Sequence, residues 1–208
     1  MPLLRQRIRR GRDSLNNTRE HILNITFKLF LQKSFKEVTL KEIVDATGLS
    51  KGAFYHYFTS KEQLFLELVD EVFSLIFDVP YDRFNKESLY NFYIDYVNYH
   101  TENLKRKNSG VPGFNYISLI FDAIKLFPDF QEKLNEAKRM QLESWIGVVR
   151  ISRSNGEIES PMSDEQIANM FINSSGGVEM YSGFENGKED TGRTLLKLWD
   201  GFYEELKV

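Results

Sequence analysis

Two helices separated by a very short turn are predicted between Thr39 and Phe58, and this spacing constrains the fold more than any other feature of the chain. Thr39 and Ser50 are suitable N-caps, because a side-chain oxygen at the start of a helix accepts a free backbone N–H. Gly48 lies where the first helix must end in a left-handed conformation. A helix, a tight glycine-containing turn and a second short helix form the helix-turn-helix pattern.

The second helix, residues 50–58, is predicted to bury Phe54 and Phe58 and to expose small, basic and aromatic residues. A helix that enters the DNA major groove needs small residues near its N-terminus, and donors or flat rings that reach bases and phosphates. This pattern favours DNA binding, but a helical hairpin whose aromatic edge packs on a neighbouring domain is an alternative. The outward-facing residues are Lys51, Gly52, Ala53, Tyr55, His56 and Tyr57.

Residues 18–73 resemble the DNA-binding domain of the TetR family. The resemblance is carried by the segments TLKEI at 39–43, ATGLSKG at 46–52, FYHYF at 54–58 and SKEQL at 60–64. It implies an all-α homodimer whose small N-terminal domain binds a palindromic operator. It also implies a larger C-terminal helical domain that dimerises and usually holds an effector.

The interpretation as a DNA-binding helix-turn-helix predicts two groups of DNA-contacting residues. Lys61 lies in the first turn of the next helix, where it opposes the helix dipole but is well placed for a phosphate, and the resemblance gives the matching lysine that role. The expected base contacts are Lys51, Gly52 and Tyr55. The expected phosphate contacts are Thr39, Ala53, His56, Tyr57 and Lys61.

The charge distribution supports a chain that touches phosphate at one end only. The first 64 residues contain 12 Lys and Arg against 6 Asp and Glu, whereas the remainder contains 15 against 24. Pro80 interrupts the helical pattern and marks a domain boundary. We therefore predict a basic, flexible arm at 1–16, a helix-turn-helix domain at 17–62, a connecting helix at 63–79 and an effector-binding and dimerisation domain at 80–208. The arm is either a solvated tail or an additional phosphate and minor-groove contact.

Helical periodicity predicts the remaining elements. The first helix is expected from Asn17 to about residue 33, and later helices at 60–77, 85–106, 114–126 and 129–154. A further helix starts at Ser163 and is interrupted by small and polar residues at 173–177, where a glycine pair indicates a kink or a close backbone contact. The last helix starts at Asp190 or Thr191.

The aromatic residues of the C-terminal part allow two interpretations of their role. Such residues are usually core, with their polar tips satisfied, but a pocket for a small hydrophobic or aromatic effector uses the same types. The candidate pocket residues are Tyr93, Tyr96, His100, Phe121, Trp145 and Phe171. The candidate dimer-interface residues are Gly176, Gly177, Leu195, Trp199 and Phe202.

Several classes of protein are disfavoured by what the sequence lacks. It contains no cysteine and three histidines, which makes a designed metal centre improbable, and we predict no metal and no cofactor. No apolar run is long enough for a membrane span, and no phosphate loop or hydrolase motif is present. We expect a cytoplasmic DNA-binding regulator and not an enzyme, and we favour a repressor over an activator. The alternative is a helical protein-interaction module with the same fold that does not bind an operator.

Overall fold

The computed structural model describes residues 2–106, 116–184 and 190–208, most of which are helical. The prediction of an all-α fold is confirmed, and the one pairing of extended segments in these ranges is an isolated antiparallel bridge between Ile158 and Lys207. The helices are α1 Pro2–Gln32, α2 Leu40–Thr47, α3 Lys51–Tyr55, α4 Lys61–Phe77, a 3-10 helix Tyr81–Arg83, α5 Leu89–Arg106, α6 Tyr116–Leu126, α7 Pro128–Ser154, α8 Asp164–Phe184 and α9 Thr191–Glu204. Within the same ranges, no helix combines the length and the apolar content needed to cross a bilayer.

The first helix is longer than predicted. We expected it to begin at Asn17 after a basic, flexible arm, but α1 begins at Pro2. Proline is favoured at the first position of a helix, and the Arg, Leu and Gln residues that follow it are good helix formers. The sequence offers no helix-breaking residue before Asn17 other than Gly11, so the capping signal at Asn17 did not mark a terminus.

Contacts divide the chain into two compact units, with the division falling inside α4. The first unit contains the residues up to Phe73 together with α6, and the second contains Ser74 onward apart from α6. α6 thus joins the unit that carries the helix-turn-helix. The domain limits at residues 62 and 79 remain predictions.

The core of the first unit is built from apolar residues of α1, α2, α3 and α4. Three phenylalanine rings pack at its centre, with centroids 5.0 Å apart for Phe30 and Phe65 and 4.7 Å apart for Phe35 and Phe65. Asp122 of α6 accepts a hydrogen bond of 2.8 Å from the backbone N–H of Phe35. The connection between α1 and α2 is therefore anchored both by its aromatic side chain and by its backbone.

The core of the second unit is an aromatic cluster enclosed by α5, α7, α8 and α9. Trp145 and Trp199 are almost completely buried, and their ring centroids lie 5.5 Å apart. Ser174 of α8 accepts a hydrogen bond of 2.8 Å from Nε1 of Trp199, which connects α8 to α9. Close approach also occurs between α5 and α9, because a Cβ atom on Gly192 would lie 2.4 Å from Oγ1 of Thr101.

One predicted helix start and one predicted helix interruption in the second unit were wrong. α5 begins at Leu89 rather than residue 85, because the Asn85 side chain accepts the N–H groups of Glu87 and Ser88 and holds residues 85–88 in a turn. The carboxylate of Glu157, far along the chain, then accepts the N–H of Leu89 at 3.0 Å and caps the new start. α8 is continuous through residues 173–177, so the predicted interruption does not occur. The predicted start of a helix at residue 114 lies outside the described residues.

Candidate nucleic-acid interface

The helix-turn-helix is set by three local signals that the sequence contained. Oγ1 of Thr39 accepts the N–H of Glu42 at 3.1 Å, and Oγ of Ser50 accepts the N–H of Ala53 at 3.1 Å. Gly48 adopts the left-handed conformation, with φ of 69°. Both predicted N-caps and the predicted glycine terminus are confirmed, so the angle between α2 and α3 follows from capping chemistry.

The recognition helix buries one side and exposes the other. Phe54 and Phe58 are fully buried, whereas Lys51, Gly52 and Tyr55 are exposed. α3 ends at Tyr55 and is shorter than predicted, and a turn in which the Phe54 carbonyl accepts the N–H groups of Tyr57 and Phe58 carries the chain on to Phe58. The three predicted base-contacting residues therefore lie together on one exposed surface.

Contacts within this exposed surface are few and weak. Nζ of Lys51 lies 6.0 Å from the centroid of the Tyr55 ring, and 44% of Tyr55 is exposed. A Cβ atom on Gly52 would meet no heavy atom within 4 Å in the described part of the chain. The subunit's own packing therefore does not require glycine here, and the backbone of α3 is open to close approach from outside.

The predicted phosphate contacts flank this surface. His56 is exposed, Ala53 and Tyr57 are half-buried, and the His56 and Tyr57 rings pack edge to face at 5.2 Å. Thr39 is exposed, and its oxygen already accepts the capping N–H. A hydroxyl also carries a donor, which remains available for a phosphate oxygen.

Lys61 is held by its own chain. Nζ donates hydrogen bonds of 2.7 Å to the carbonyl oxygens of both Phe35 and Val38, and it lies 4.1 Å from the centroid of the Phe35 ring. Partial burial lowers the pKa of Lys61. Two of its three N–H groups are therefore used inside the protein, and its predicted phosphate contact can use only the third.

Sequence reasoning missed Arg19 as a support of the recognition helix. Its guanidinium lies 5.1 Å from the centroid of the Phe58 ring and forms an ion pair with Glu67 of α4. The cation on α1 thus contacts both Phe58, three residues beyond α3, and Glu67 of α4. The only available sequence signal was its position in a basic N-terminal region, which did not indicate a structural partner.

Five of the six predicted effector residues belong to the second unit. Tyr93, Trp145 and Phe171 are fully buried, with ring centroids 5.8 Å apart for Tyr93 and Phe171 and 5.1 Å apart for Trp145 and Phe171. Tyr96 and His100 continue this cluster along α5, with ring centroids 4.3 Å apart.

Phe121 is not part of that cluster. It lies on α6, which belongs to the first unit, and 57% of it is exposed.

The predicted dimer-interface residues lie on two sides of α8 and α9. Leu195 and Trp199 are buried in the subunit core, Gly177 and Phe202 are half-buried, and Gly176 is exposed. Between the two helices is an open, apolar groove of about 620 Å³. The sequence did not single out three of the exposed apolar residues beside it, which are Met170, Tyr181 and Leu198.

Comparison with known proteins agrees with this geometry. Residues 22–68 match the family model described as bacterial regulatory proteins, tetR family. The transcriptional regulator AcrR of Shigella flexneri is 37% identical over 60 residues, which is 29% of this chain and 28% of AcrR. The repressor NemR of Escherichia coli K12 is 45% identical over 47 residues, which is 23% of this chain and 24% of NemR.

Similarity in sequence is confined to part of each relative, whereas similarity in fold extends over nearly the whole chain. The matches span between 18% and 50% of the length of these and other curated relatives. The crystal structure of the MbdR regulator from Azoarcus sp. CIB has the same fold with a TM-score of 0.65 and 20% identity, covering 89% of this chain and 96% of that one. Residues 22–68 therefore match the DNA-binding region of the tetR family of bacterial regulatory proteins, and the chain shares its all-helical fold with the MbdR regulator.

Proposed function

We propose that this protein is a homodimeric transcriptional repressor that binds a palindromic DNA operator and is released from it, or adjusted on it, by a small-molecule effector. The observation that carries the proposal is the outer surface of α3. There, Lys51, Gly52 and Tyr55 are exposed over two fully buried phenylalanines. The repressor assignment is supported by relatives such as NemR, which is named a transcriptional repressor.

On the proposed operator, α3 lies in the major groove. Lys51 donates to guanine acceptors and the Tyr55 hydroxyl reaches a base edge, while the bare backbone at Gly52 lets the helix come close. Thr39 and His56 contact phosphates on either side of the groove. These phosphate contacts fix the position of α3 but carry no sequence information.

Dimerisation is proposed through the apolar groove of α8 and α9. A two-fold axis would bring the same groove from two subunits together, which buries Met170 and Leu198 and gives the exposed Gly176 a close partner. The two copies of α3 would then lie about 34–36 Å apart, one turn of DNA, or a multiple of that distance.

Effector control is proposed for the second unit. A ligand among the aromatic residues around Tyr96 and Trp145 would shift the protein between two arrangements only if it binds one of them more tightly. The secondary repressor NalD of the MexAB-OprM multidrug efflux pump in Pseudomonas aeruginosa has this fold, with a TM-score of 0.62 at 16% identity. We expect a small hydrophobic or aromatic effector for this protein.

The Tyr55→Ala variant tests the base contact. Genomic fragments selected on the wild-type protein supply a specific duplex, and random duplex supplies the reference. We expect the variant to lose about 1–3 kcal/mol on the specific site, roughly 5- to 150-fold in Kd, and little on random DNA. The control is Tyr90→Ala, because Tyr90 is equally exposed, at 43% against 44%, but lies on α5. Equal loss on both duplexes would contradict the assignment.

The salt dependence of DNA binding distinguishes the proposed function from the alternative, which is a helical protein-interaction module. Contacts to phosphates release counterions, so log K should fall linearly with log salt, with a slope of about −0.9 per phosphate contacted. A slope near zero on duplex DNA would favour the protein-docking alternative.

The dimer is tested by placing a charge in the groove. Met170→Glu should dissociate the dimer in sedimentation at micromolar concentration, because a carboxylate would be buried without a partner. Met140→Glu is the matched control, since Met140 is a similarly exposed methionine on α7, at 57% against 49%. A monomeric wild-type protein would contradict the proposal directly.

A further inference from the structure

The first half of α1 is strongly basic, and none of the proposed DNA contacts uses it. Residues 2–16 contain five arginines and one acidic residue, Asp13, which gives a balance of +4. Because α1 runs without interruption from Pro2 to Gln32, this stretch is the beginning of a long helix and not a separate arm. We call residues 2–16 the basic helix. Its arginines are Arg5, Arg7, Arg9, Arg10 and Arg12.

The part of α1 that follows the basic helix lies beside the recognition segment. Nε2 of His21 lies 3.3 Å from the carbonyl oxygen of Thr47, the last residue of α2. The Arg19 guanidinium lies 5.1 Å from the centroid of the ring of Phe58, which follows α3. These two contacts hold α1 against both ends of the segment that contains α3. The basic helix therefore extends away from this unit starting next to the proposed recognition surface.

The spacing of the arginines suits a row of phosphates. Arg5, Arg9 and Arg12 are four and three residues apart, so they share one face of the helix. With a rise of 1.5 Å per residue, this row is about 10 Å long and begins about 10 Å along the axis from Arg19. A DNA duplex carries one charge per 1.7 Å of its axis, so it presents about six phosphates over the same length.

The basic helix has few counter-charges of its own. Like charges three or four residues apart on a helix repel one another, and the one carboxylate available in residues 2–16 is that of Asp13. Gly11 weakens the helix further, because glycine is a poor helix former. A polyanion alongside would supply the missing negative charge and so stabilise the helix as well as the contact.

We infer that the basic helix binds the sugar-phosphate backbone of DNA beside the groove that α3 reads, and that it remains helical there. An α-helix with its side chains is about 10–12 Å across, whereas the minor groove of B-DNA is about 6 Å wide. The basic helix therefore lies on phosphates and does not enter the minor groove. Such contacts add affinity but no sequence information. The inference rests on the proposed function, because α3 brings the basic helix to the DNA.

An anionic membrane surface is the other polyanion that a basic helix can fit. Leu4, Ile8 and Leu15 share a second face, and basic helices with an apolar face bind membrane surfaces. DNA is favoured because the basic helix continues into residues that pack on the recognition segment. In addition, residues 2–16 contain no aromatic residue to anchor the helix at a lipid interface.

The test replaces Arg5, Arg9 and Arg12 by glutamine in the full-length protein, because glutamine and arginine are similar helix formers. Binding to a selected genomic fragment and to random duplex of the same length is measured by fluorescence anisotropy at several salt concentrations. Three phosphate contacts from each of two subunits contribute about 5 to the slope of log K against log salt. We expect the slope to fall by about 3–5 on both duplexes, and Kd to rise roughly tenfold or more at about 100 mM salt.

A matched control separates this effect from the net charge of the protein. It replaces three exposed lysines of the second unit by glutamine, and we expect its slope to stay within about 1 of the wild type. An equal fall in slope for the control and the arginine variant would overturn the inference. The control positions are Lys86, Lys133 and Lys138.

The helical state is tested with every arginine retained. Ser14→Pro interrupts α1 between the basic helix and the rest of the unit, because proline lacks an N–H and clashes with the preceding turn. We expect Ser14→Pro to lose at least about half of the slope that the arginine variant loses, and Ser14→Ala to bind as the wild type does. A wild-type slope for Ser14→Pro would show that the arginines act from an extended chain, and would overturn the inference.

The outcomes separate the inference from the proposed function. If Tyr55→Ala weakens only specific binding but the arginine variant keeps the wild-type slope, the inference is overturned and the proposed function stands. If Tyr55→Ala weakens specific and random binding equally, the proposed function fails, while a lower slope in the arginine variant still supports the inference. Vesicles of equal parts phosphatidylcholine and phosphatidylglycerol test the membrane. Arginine-dependent binding to these vesicles together with an unchanged DNA slope would overturn the inference.

Discussion

Replacing Glu179 by glutamine should stabilise the protein, and most strongly at neutral and alkaline pH. Burial raises the pKa of this carboxyl in the folded protein from 4.5 to about 7. The folded state therefore holds the proton more tightly than the unfolded state does. Stability that is present below pH 4.5 is lost as the pH rises towards 7 and beyond. Glutamine carries no charge, so the Glu179→Gln protein avoids this loss.

The magnitude follows from the size of the shift. A difference of about 2.5 pKa units between the two states corresponds to about 3 kcal/mol. Because 26% of the side chain is exposed, water screens part of that penalty. We expect Glu179→Gln to gain about 1–3 kcal/mol in the free energy of unfolding at pH 8, and less than about 1 kcal/mol at pH 5, where Glu179 is neutral in the folded protein but partly ionised in the unfolded one.

Two described titratable groups face this carboxyl, and neither reverses the sign. His100 from α5 is neutral in the folded state above pH 4. The Tyr81 phenol from the 3-10 helix has a pKa raised by burial, so it too is neutral in this range. Both are present in wild type and variant, so their contributions cancel in the difference between the two proteins.

The assay is urea unfolding at pH 5, 6, 7 and 8 of wild type, Glu179→Gln and the control Glu132→Gln, which changes an exposed carboxylate on α7. Protein concentration is held constant, because dimerisation would make stability depend on it. We expect the midpoint difference between Glu179→Gln and wild type to grow with pH, and that for Glu132→Gln to stay flat. A gain of equal size at pH 5 and pH 8, or no gain at pH 8, would refute the burial argument.

Three further predictions follow from the same structure. Asp122→Ala should cost about 1–2 kcal/mol in urea unfolding, since it removes a charged acceptor from the Phe35 N–H, and no change would mean that water replaces the carboxylate. Lys61→Met should cost about 1–3 kcal/mol by removing two hydrogen bonds to backbone carbonyls; a DNA salt slope reduced by about 0.9 would show that Lys61 also contacts a phosphate. The unfolding temperature of His100→Gln should change less than that of wild type between pH 6.5 and 4. Wild-type His100 is protonated in this range when the protein is unfolded, but stays neutral when it is folded. Parallel plots of unfolding temperature against pH for the two proteins would refute this.

The helix-turn-helix was predictable because its determinants are local. Thr39 and Ser50 each cap a helix within three residues of themselves, and Gly48 needs only its own backbone to end α2. The exposed face of α3 then followed from the burial of Phe54 and Phe58, four residues apart. No partner distant in the sequence was needed for any of these predictions.

The remaining features depend on partners that are distant in sequence. Lys61 was predicted from helix-dipole and family arguments to contact phosphate, but its ammonium bonds two carbonyls more than 20 residues away. The start of α5 is fixed in part by the local turn at Asn85, but it is also capped by Glu157, which lies nearly 70 residues beyond it. No local pattern encodes such a pairing.

Glu179 was missed for a different reason. It lies eight residues after the buried Phe171 and four after the buried Ser175, and so on the same face of α8. The sequence therefore already contained a signal for Glu179, because an acidic residue stood on the buried face of a predicted helix. The glycine pair at 176–177 gave the prediction for this helix instead, but a Cβ atom added at either glycine would meet no heavy atom within 4 Å in the ranges the structure describes.

The empty space beside Gly52 allows folding and DNA recognition to be measured apart. An added methyl group there would strain nothing within the described subunit, and alanine favours helix over glycine by up to about 1 kcal/mol. Gly52→Ala should therefore melt at the same temperature as wild type or higher. If the same methyl group keeps α3 away from the floor of the groove, a protein of undiminished stability will have lost its operator, and the defect can then be ascribed to fit alone.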